Sequence, residues 1–228
     1  MLPDLVIFDF DGTMLRDDGV VLAAYRRALT ANDIPFTEAD LAARRGAAKW
    51  AVFRELAGRP TRSTATDQLA ERALANFESA LREEYTRGEV ASIEGAESSA
   101  RWLAERGAKI ALSSGFDRGL VELLVERLGW EKLFDRVLAA EDAPAGRPAP
   151  YLIFRAMIDL GVHDLARVAV VGDTPLDLDG QQRQSGLGDR RSQRRPRRRD
   201  ARPDPPHPSS PQRRISARAV RVISLFRL

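Results

Sequence analysis

The 228-residue chain has no cysteine, only two histidines, and only three lysines among its 36 basic residues. Without cysteine there is no disulfide framework and no thiolate zinc site, which fits a reducing compartment and gives a cytoplasmic location as the expectation. His163 and His207 have no second His or Cys to complete a metal set and read as surface residues. No run approaches the length of about 18 apolar residues that a membrane span requires. The N-terminus runs from Met1-Leu-Pro-Asp into Leu5-Val-Ile-Phe8 with no basic stretch ahead of a long apolar run, so no secretion signal is expected.

What is present is 43% hydrophobic and 30% charged residues, enough apolar content for one large or two small domains. The net charge of +3 is unevenly placed: residues 181–228 hold 14 Arg against three Asp, a net +11, whereas residues 1–180 carry −8. An acidic body precedes a very basic stretch, and the overall pI near 9.7 describes neither.

Leu5–Phe8 is a short apolar run ending at Asp9, Asp11 and Gly12, the pattern of a buried strand entering a polar loop. Helical spacing follows over Val20–Ala31, Leu41–Arg45, Trp50–Leu56 and Asp67–Tyr85, punctuated by Gly46, Gly58-Arg-Pro60 and Gly88. Strand and helix then alternate. Ala96–Glu105 reads as helix and Lys109–Leu112 as strand, and Asp117 caps a helix through Leu128. Val137–Ala139 is a weaker strand, Pro150–Leu160 a helix and Val168–Val171 a buried strand. Such alternation predicts a parallel α/β sheet with right-handed crossovers, in which ligands bind beyond the carboxyl ends of the strands. Asp9, Ser114 and Asp173 all fall at such ends.

The chemistry rests on two acidic pairs, Asp9-Phe-Asp-Gly-Thr13 and Asp173-Thr-Pro-Leu-Asp177. Four carboxylates around one loop cluster repel unless a cation neutralises them, and Mg²⁺ is the hard, oxygen-seeking candidate. A carboxylate can also attack phosphorus while a metal screens two anions from each other.

With these motifs, residues 4–179 resemble the haloacid dehalogenase superfamily of phosphotransfer hydrolases. The resemblance rests on the DxDGT signature at 9–13 and GDTPxD at 172–177, each after an apolar strand. It implies an α/β fold: a Rossmann-like parallel sheet core formed by residues 1–15 and 91–180, with a small helical cap, residues 16–90, inserted after the first strand. It implies Asp9 as nucleophile, forming an aspartyl-phosphate, and Asp11 as general acid/base. Ser114 would hold the phosphoryl group, with Ser113 the alternative beside it, and Thr13 and Gly115 would bind substrate. The implied Mg²⁺ ligands are Asp9, Asp11, Asp173 and Asp177.

Within the superfamily the chain is similar to the phosphonatase-like branch in three places. Ser114-Gly-Phe-Asp-Arg118 resembles its second motif. Asp142-Ala-Pro-Ala-Gly-Arg-Pro148 resembles its third, with Arg147 in place of the usual lysine as a potentially bidentate phosphate ligand. Arg45-Gly-Ala-Ala-Lys49 resembles the cap loop bearing the Schiff-base lysine of phosphonoacetaldehyde hydrolases. Two departures favour ester hydrolysis: Asp11 stands where those enzymes have alanine, and Val52 stands where they have histidine. Lys49 therefore reads as an exposed helix-start lysine, a ligand for a substrate anion, or an imine former. Trp50, Phe53 and Leu56 read as packing rather than a substrate box.

The expected function is thus a Mg²⁺-dependent phosphohydrolase acting on a small phosphorylated metabolite, as monomer or homodimer. The alternatives are phosphonoacetaldehyde hydrolysis through Lys49, or an inactive core with a nucleic-acid-binding basic arm. Residues 181–214 have too few apolar residues to offset the entropy of ordering, and an irregular or disordered tail is expected. Their Arg/Pro/Ser/Gln richness after an abrupt break in pattern is also that of a GC-rich gene read out of frame. Shifting allowed codons for Leu187–Pro196 by one nucleotide can yield W-V-I-G-V-L-S-G-A-H, a strand followed by a loop. On that reading the tail has no evolved function, and nucleic acid is not an expected partner.

Overall fold

The computed structural model describes residues 2–58 and 64–174; Asp177, His207 and the basic stretch 181–228 lie outside the described residues. Four parallel strands form one sheet in the order β3-β2-β1-β4: β1 (Leu5–Asp9), β2 (Lys109–Ser113), β3 (Arg136–Leu138) and β4 (Val168–Val171). Every residue of β1 is buried, as expected for a central strand covered on both faces. The period of two divides its side chains. Leu5 and Ile7 pack with Ala111, Leu138, Leu152 and Ala156 on one face. Val6 and Phe8 join Ile110 and Leu112 on the other.

Between β1 and β2 the chain forms α1 (Val20–Ala31), α2 (Glu38–Ala43), α3 (Lys49–Ala57), α4 (Thr64–Arg87) and α5 (Ala96–Ala104). Then come α6 (Arg118–Arg127) between β2 and β3, and α7 (Tyr151–Leu160) between β3 and β4. Helices α1 and α3 both pack on α4. Tyr25, Phe53 and Phe77 from these three helices form an aromatic cluster with centroids 4.5–5.6 Å apart. The apolar cluster on that side of the sheet also takes in Phe10, Met14 and Leu15 from the connecting segment. Phe53 and Leu56 are thus packing residues, whereas Trp50 is 37% exposed. No helix of the described residues is long and apolar enough to cross a membrane.

Three of the element boundaries that differ from the sequence expectation do so for a local hydrogen-bonding reason. Helix α2 starts at Glu38 rather than Leu41 because Thr37 and Asp40 form a reciprocal capping box. Strand β2 extends to Ser113 because the pairing with β1 continues to Asp9. Strand β3 ends at Leu138 rather than Ala139, whose N–H donates to the Asp142 carboxylate at 2.8 Å. The α2 cap gives a direct test: Thr37→Ala should cost about 1 kcal/mol in urea unfolding, and an unchanged midpoint would discount the capping box.

Candidate active site

The register sets Asp9 opposite Ser113 and Phe8 opposite Val171, so the carboxyl ends of β1, β2 and β4 share one edge. Asp9 ends β1, is 3% exposed, and receives Arg147 Nη1 at 2.7 Å from Oδ1. Arg147 comes from the loop before α7. Its carbonyl accepts the Ala48 N–H at 3.2 Å, which ties that loop to the segment entering α3.

Asp11 lies two residues past the strand end. Its buried Oδ1 has no hydrogen-bond partner among the described residues. Burial above all pushes its carboxyl up to about 6; Asp17 and Asp173 add to the rise, and Lys49 and Arg45 oppose it. A carboxyl poised there can both give and take a proton near neutral pH. Gly12 follows with φ +79°, and a Cβ on it would sit 2.7 Å from Asp173 Oδ2. Only glycine admits both that turn and the Asp173 carboxylate lying against it. Asp173 is also paired with Arg45 Nη2 at 3.3 Å. The next contact along this seam is Gly46 (φ +81°), where a Cβ would approach Thr174 Oγ1 to 2.6 Å.

Lys49 opens α3, and its ammonium lies 5.7 Å from the Phe116 ring centroid and 5.8 Å from that of Tyr25. Burial holds its pKa below the ordinary lysine value, Asp11 resists that shift, and Arg147 adds to it. Lys49 is therefore not the exposed helix-start lysine that was one expectation. Ser114 is 1% exposed; its N–H donates to Leu138 O at 2.9 Å and its Oγ accepts the Phe116 N–H at 3.1 Å. That bond leaves the hydroxyl proton of Ser114 to be donated elsewhere. Ser113 is the last residue of β2, and its carbonyl accepts the Phe10 N–H. Gly115 lies beside Arg147, with Nη2 at 3.8 Å from where a Cβ would stand.

Thr13 faces a different space. Its buried Oγ1 has no hydrogen-bond partner among the described residues, and the residue lines an apolar cavity of about 560 Å³ with Phe8, Met14, Trp102 and Val171. Among the described residues no three His, Cys, Asp or Glu side chains converge as a metal set, and Asp177 lies outside them. Hard oxygen donors nevertheless sit together at this edge: the Asp9 carboxylate at the end of β1 and the Asp173 carboxylate against Gly12 suit Mg²⁺ by donor type. His163 is exposed.

Sequence reasoning missed Arg45 as the partner of Asp173, and gave Tyr85, Arg82 and Tyr25 no role beyond their helices. Arg45 stood inside a motif attended to for its lysine. The other three carry helical spacing that is indistinguishable from ordinary packing.

The family profile of haloacid dehalogenase-like hydrolases matches residues 3–182, and the chain belongs to that family. Among curated relatives, the phosphonoacetaldehyde hydrolase of Parabacteroides distasonis is 37% identical over 79 residues, 33% of this chain and 29% of that protein. The matched stretch thus spans less than a third of the length of that relative. Among solved structures, a hydrolase from Pseudomonas syringae superposes with a TM-score of 0.70 at 21% identity, covering 79% of this chain and 80% of that one. A phosphonoacetaldehyde hydrolase like protein from Oleispira antarctica gives a TM-score of 0.66 at 19% identity, covering 80% and 70%. Both structures share the fold.

Proposed function

We propose that the protein is a Mg²⁺-dependent phosphohydrolase of small phosphorylated metabolites, working through an aspartyl-phosphate on Asp9. The observation that carries this reading is the pairing of buried Asp9 with Arg147 beside a second carboxyl, Asp11, held up to about 6. An acid at that position serves P–O cleavage, whose leaving alkoxide needs a proton.

In the proposed sequence an Asp9 oxygen attacks phosphorus in line as the bond to the leaving oxygen breaks. Protonated Asp11 delivers its proton to that oxygen. The resulting Asp11 carboxylate then takes a proton from water, whose oxygen attacks phosphorus, releases phosphate and restores Asp9. Arg147 holds Asp9 before attack and the phosphoryl oxygens after it, and Ser114 donates its hydroxyl proton to the same group. Asp9, Asp173 and Asp177 are the residues proposed to hold Mg²⁺ through their carboxylates; Asp11, the fourth expected ligand, keeps its side chain for proton transfer. When bound, the ion would offset repulsion between the attacking carboxylate and the anionic substrate. Residues 16–90, the insert carrying α1 to α4, act as the cap; the seam from Arg45–Asp173 to Ala48–Arg147 is where it closes over the site and excludes water.

A second reading, phosphonoacetaldehyde hydrolysis through a Lys49 imine, is favoured by the buried, pKa-lowered ammonium and by the curated relatives. Against it, Val52 is 2% exposed within α3 and offers no proton shuttle. Borohydride treatment with phosphonoacetaldehyde decides between them. The expected outcome is no adduct on Lys49 together with turnover of phosphate esters; a trapped, mass-identified Lys49 adduct would establish the imine route instead.

A further inference from the structure

Helix α4 turns the face carrying Glu78, Arg82 and Tyr85, spaced by four and three residues, toward the loop after β2. Arg82 Nη2 reaches Asp117 Oδ1 at 2.7 Å, and the Tyr85 ring lies 6.4 Å from that of Phe116. The end of the helix is pinned by α6, whose last residue Arg127 donates to the carbonyls of Tyr85 and Thr86. Tyr85 is 2% exposed, yet its hydroxyl has no hydrogen-bond partner among the described residues. A buried hydroxyl without a partner forfeits hydration and gains nothing in return. Such groups are retained in native proteins where something else completes them.

The position of Tyr85 indicates what completes it. Phe116, against which Tyr85 packs, has the Lys49 ammonium 5.7 Å from its ring centroid and follows directly on Ser114-Gly115. Tyr85 and Lys49 therefore both neighbour Phe116, two residues past the proposed phosphoryl ligand Ser114. We infer that the Tyr85 hydroxyl is a specificity-determining donor, contributed by the helical insert, to an oxygen function on the organic part of the substrate near the phosphoryl group. Burial first, then the charges of Asp11, Asp17 and Asp18, push its ionisation upward, so the group remains a protonated donor. This rests on the phosphohydrolase reading, and it selects hydroxylated or carbonyl-bearing phosphate esters over plain alkyl ones. An unpaired site donor discriminates strongly because it is left unsatisfied by the analogue lacking the acceptor.

The test is Tyr85→Phe in the full chain, which removes one oxygen and keeps the ring. Two ligand pairs serve: turnover of 2-hydroxyethyl phosphate against ethyl phosphate, and calorimetric binding of 2-hydroxyethylphosphonate against ethylphosphonate. The wild type should prefer the hydroxylated member of each pair by roughly 3- to 30-fold, and Tyr85→Phe should bring both ratios near one. The variant's melting temperature should be equal or higher, since an unpaired hydroxyl has gone. Ratios unchanged by the substitution, or a wild type that binds both members equally, overturn the inference and leave the phosphohydrolase reading standing. A lowered melting temperature with parallel losses on both ligands shows a structural hydroxyl and overturns it too. A wild type that neither binds nor turns over any of the four overturns the phosphohydrolase reading and this inference with it.

Discussion

Asp9→Asn should reduce phosphate-ester hydrolysis by on the order of 10⁴-fold or more, because the substitution removes the atom to which the phosphoryl group is transferred. Asparagine is isosteric and keeps an oxygen to accept from Arg147, which now pairs with Asp9 at 2.7 Å. The fold should therefore survive, and circular dichroism on the variant separates lost chemistry from lost structure. A second readout follows from the covalent step. Rapid acid quench with ³²P-labelled substrate should trap radioactivity on the wild-type chain and none on the variant. A folded variant with more than a hundredth of wild-type activity would sink the nucleophilic role of Asp9.

Asp11→Asn tests the other half of the mechanism, and the leaving group is the sharper variable. Protonation matters when the departing alkoxide is basic and hardly at all when it is p-nitrophenolate. General acid–base catalysis typically supplies about 10²- to 10⁴-fold. Asp11→Asn should lose that much on alkyl phosphates, and much less in the first step with p-nitrophenyl phosphate, read as the p-nitrophenol burst. The dephosphorylation step should slow in both cases, so phosphoenzyme should accumulate. The buried setting that raises the Asp11 carboxyl to about 6 is what fits it to this work, since an ordinary aspartate would be almost wholly ionised at neutral pH. Equal losses on alkyl and aryl esters would overturn the assignment of Asp11 as acid.

Much of the scaffold was legible because β1 and β4 are short apolar runs and the intervening helices carry 3.6-residue periodicity and glycine stops. Where boundaries slipped, side chains were competing for backbone N–H groups: Thr37 and Asp40 at α2, and Asp142 at the end of β3. A capping box is visible in sequence once sought, whereas the Asp142 bond depends on a loop returning to its own start. Asp9, Asp11, Ser114 and Asp173 could be marked in advance because they stand at or just beyond strand ends, and parallel strands end on a common edge. Lys49 could be marked but not placed, since its three readings differ only in whether helix α3 faces the sheet edge or solvent.

The basic stretch that dominates the overall charge shows the opposite limit: a composition average pointed toward nucleic acid, while the acidic body held every motif that bears on chemistry. The sequence by itself determined the alternation of strand and helix, the acidic loop at the end of β1 and the membership of the family. Local propensity, apolar periodicity and short motifs suffice for these. Only the tertiary structure decided that Arg147 pairs with Asp9, that Arg45 meets Asp173, that Lys49 is half-buried between the Tyr25 and Phe116 rings and that the Tyr85 hydroxyl has no partner among the described residues. Each of those facts joins the helical insert or a distant loop to the sheet edge, and burial and long-range charge are set by packing between segments that have no fixed spacing in the chain.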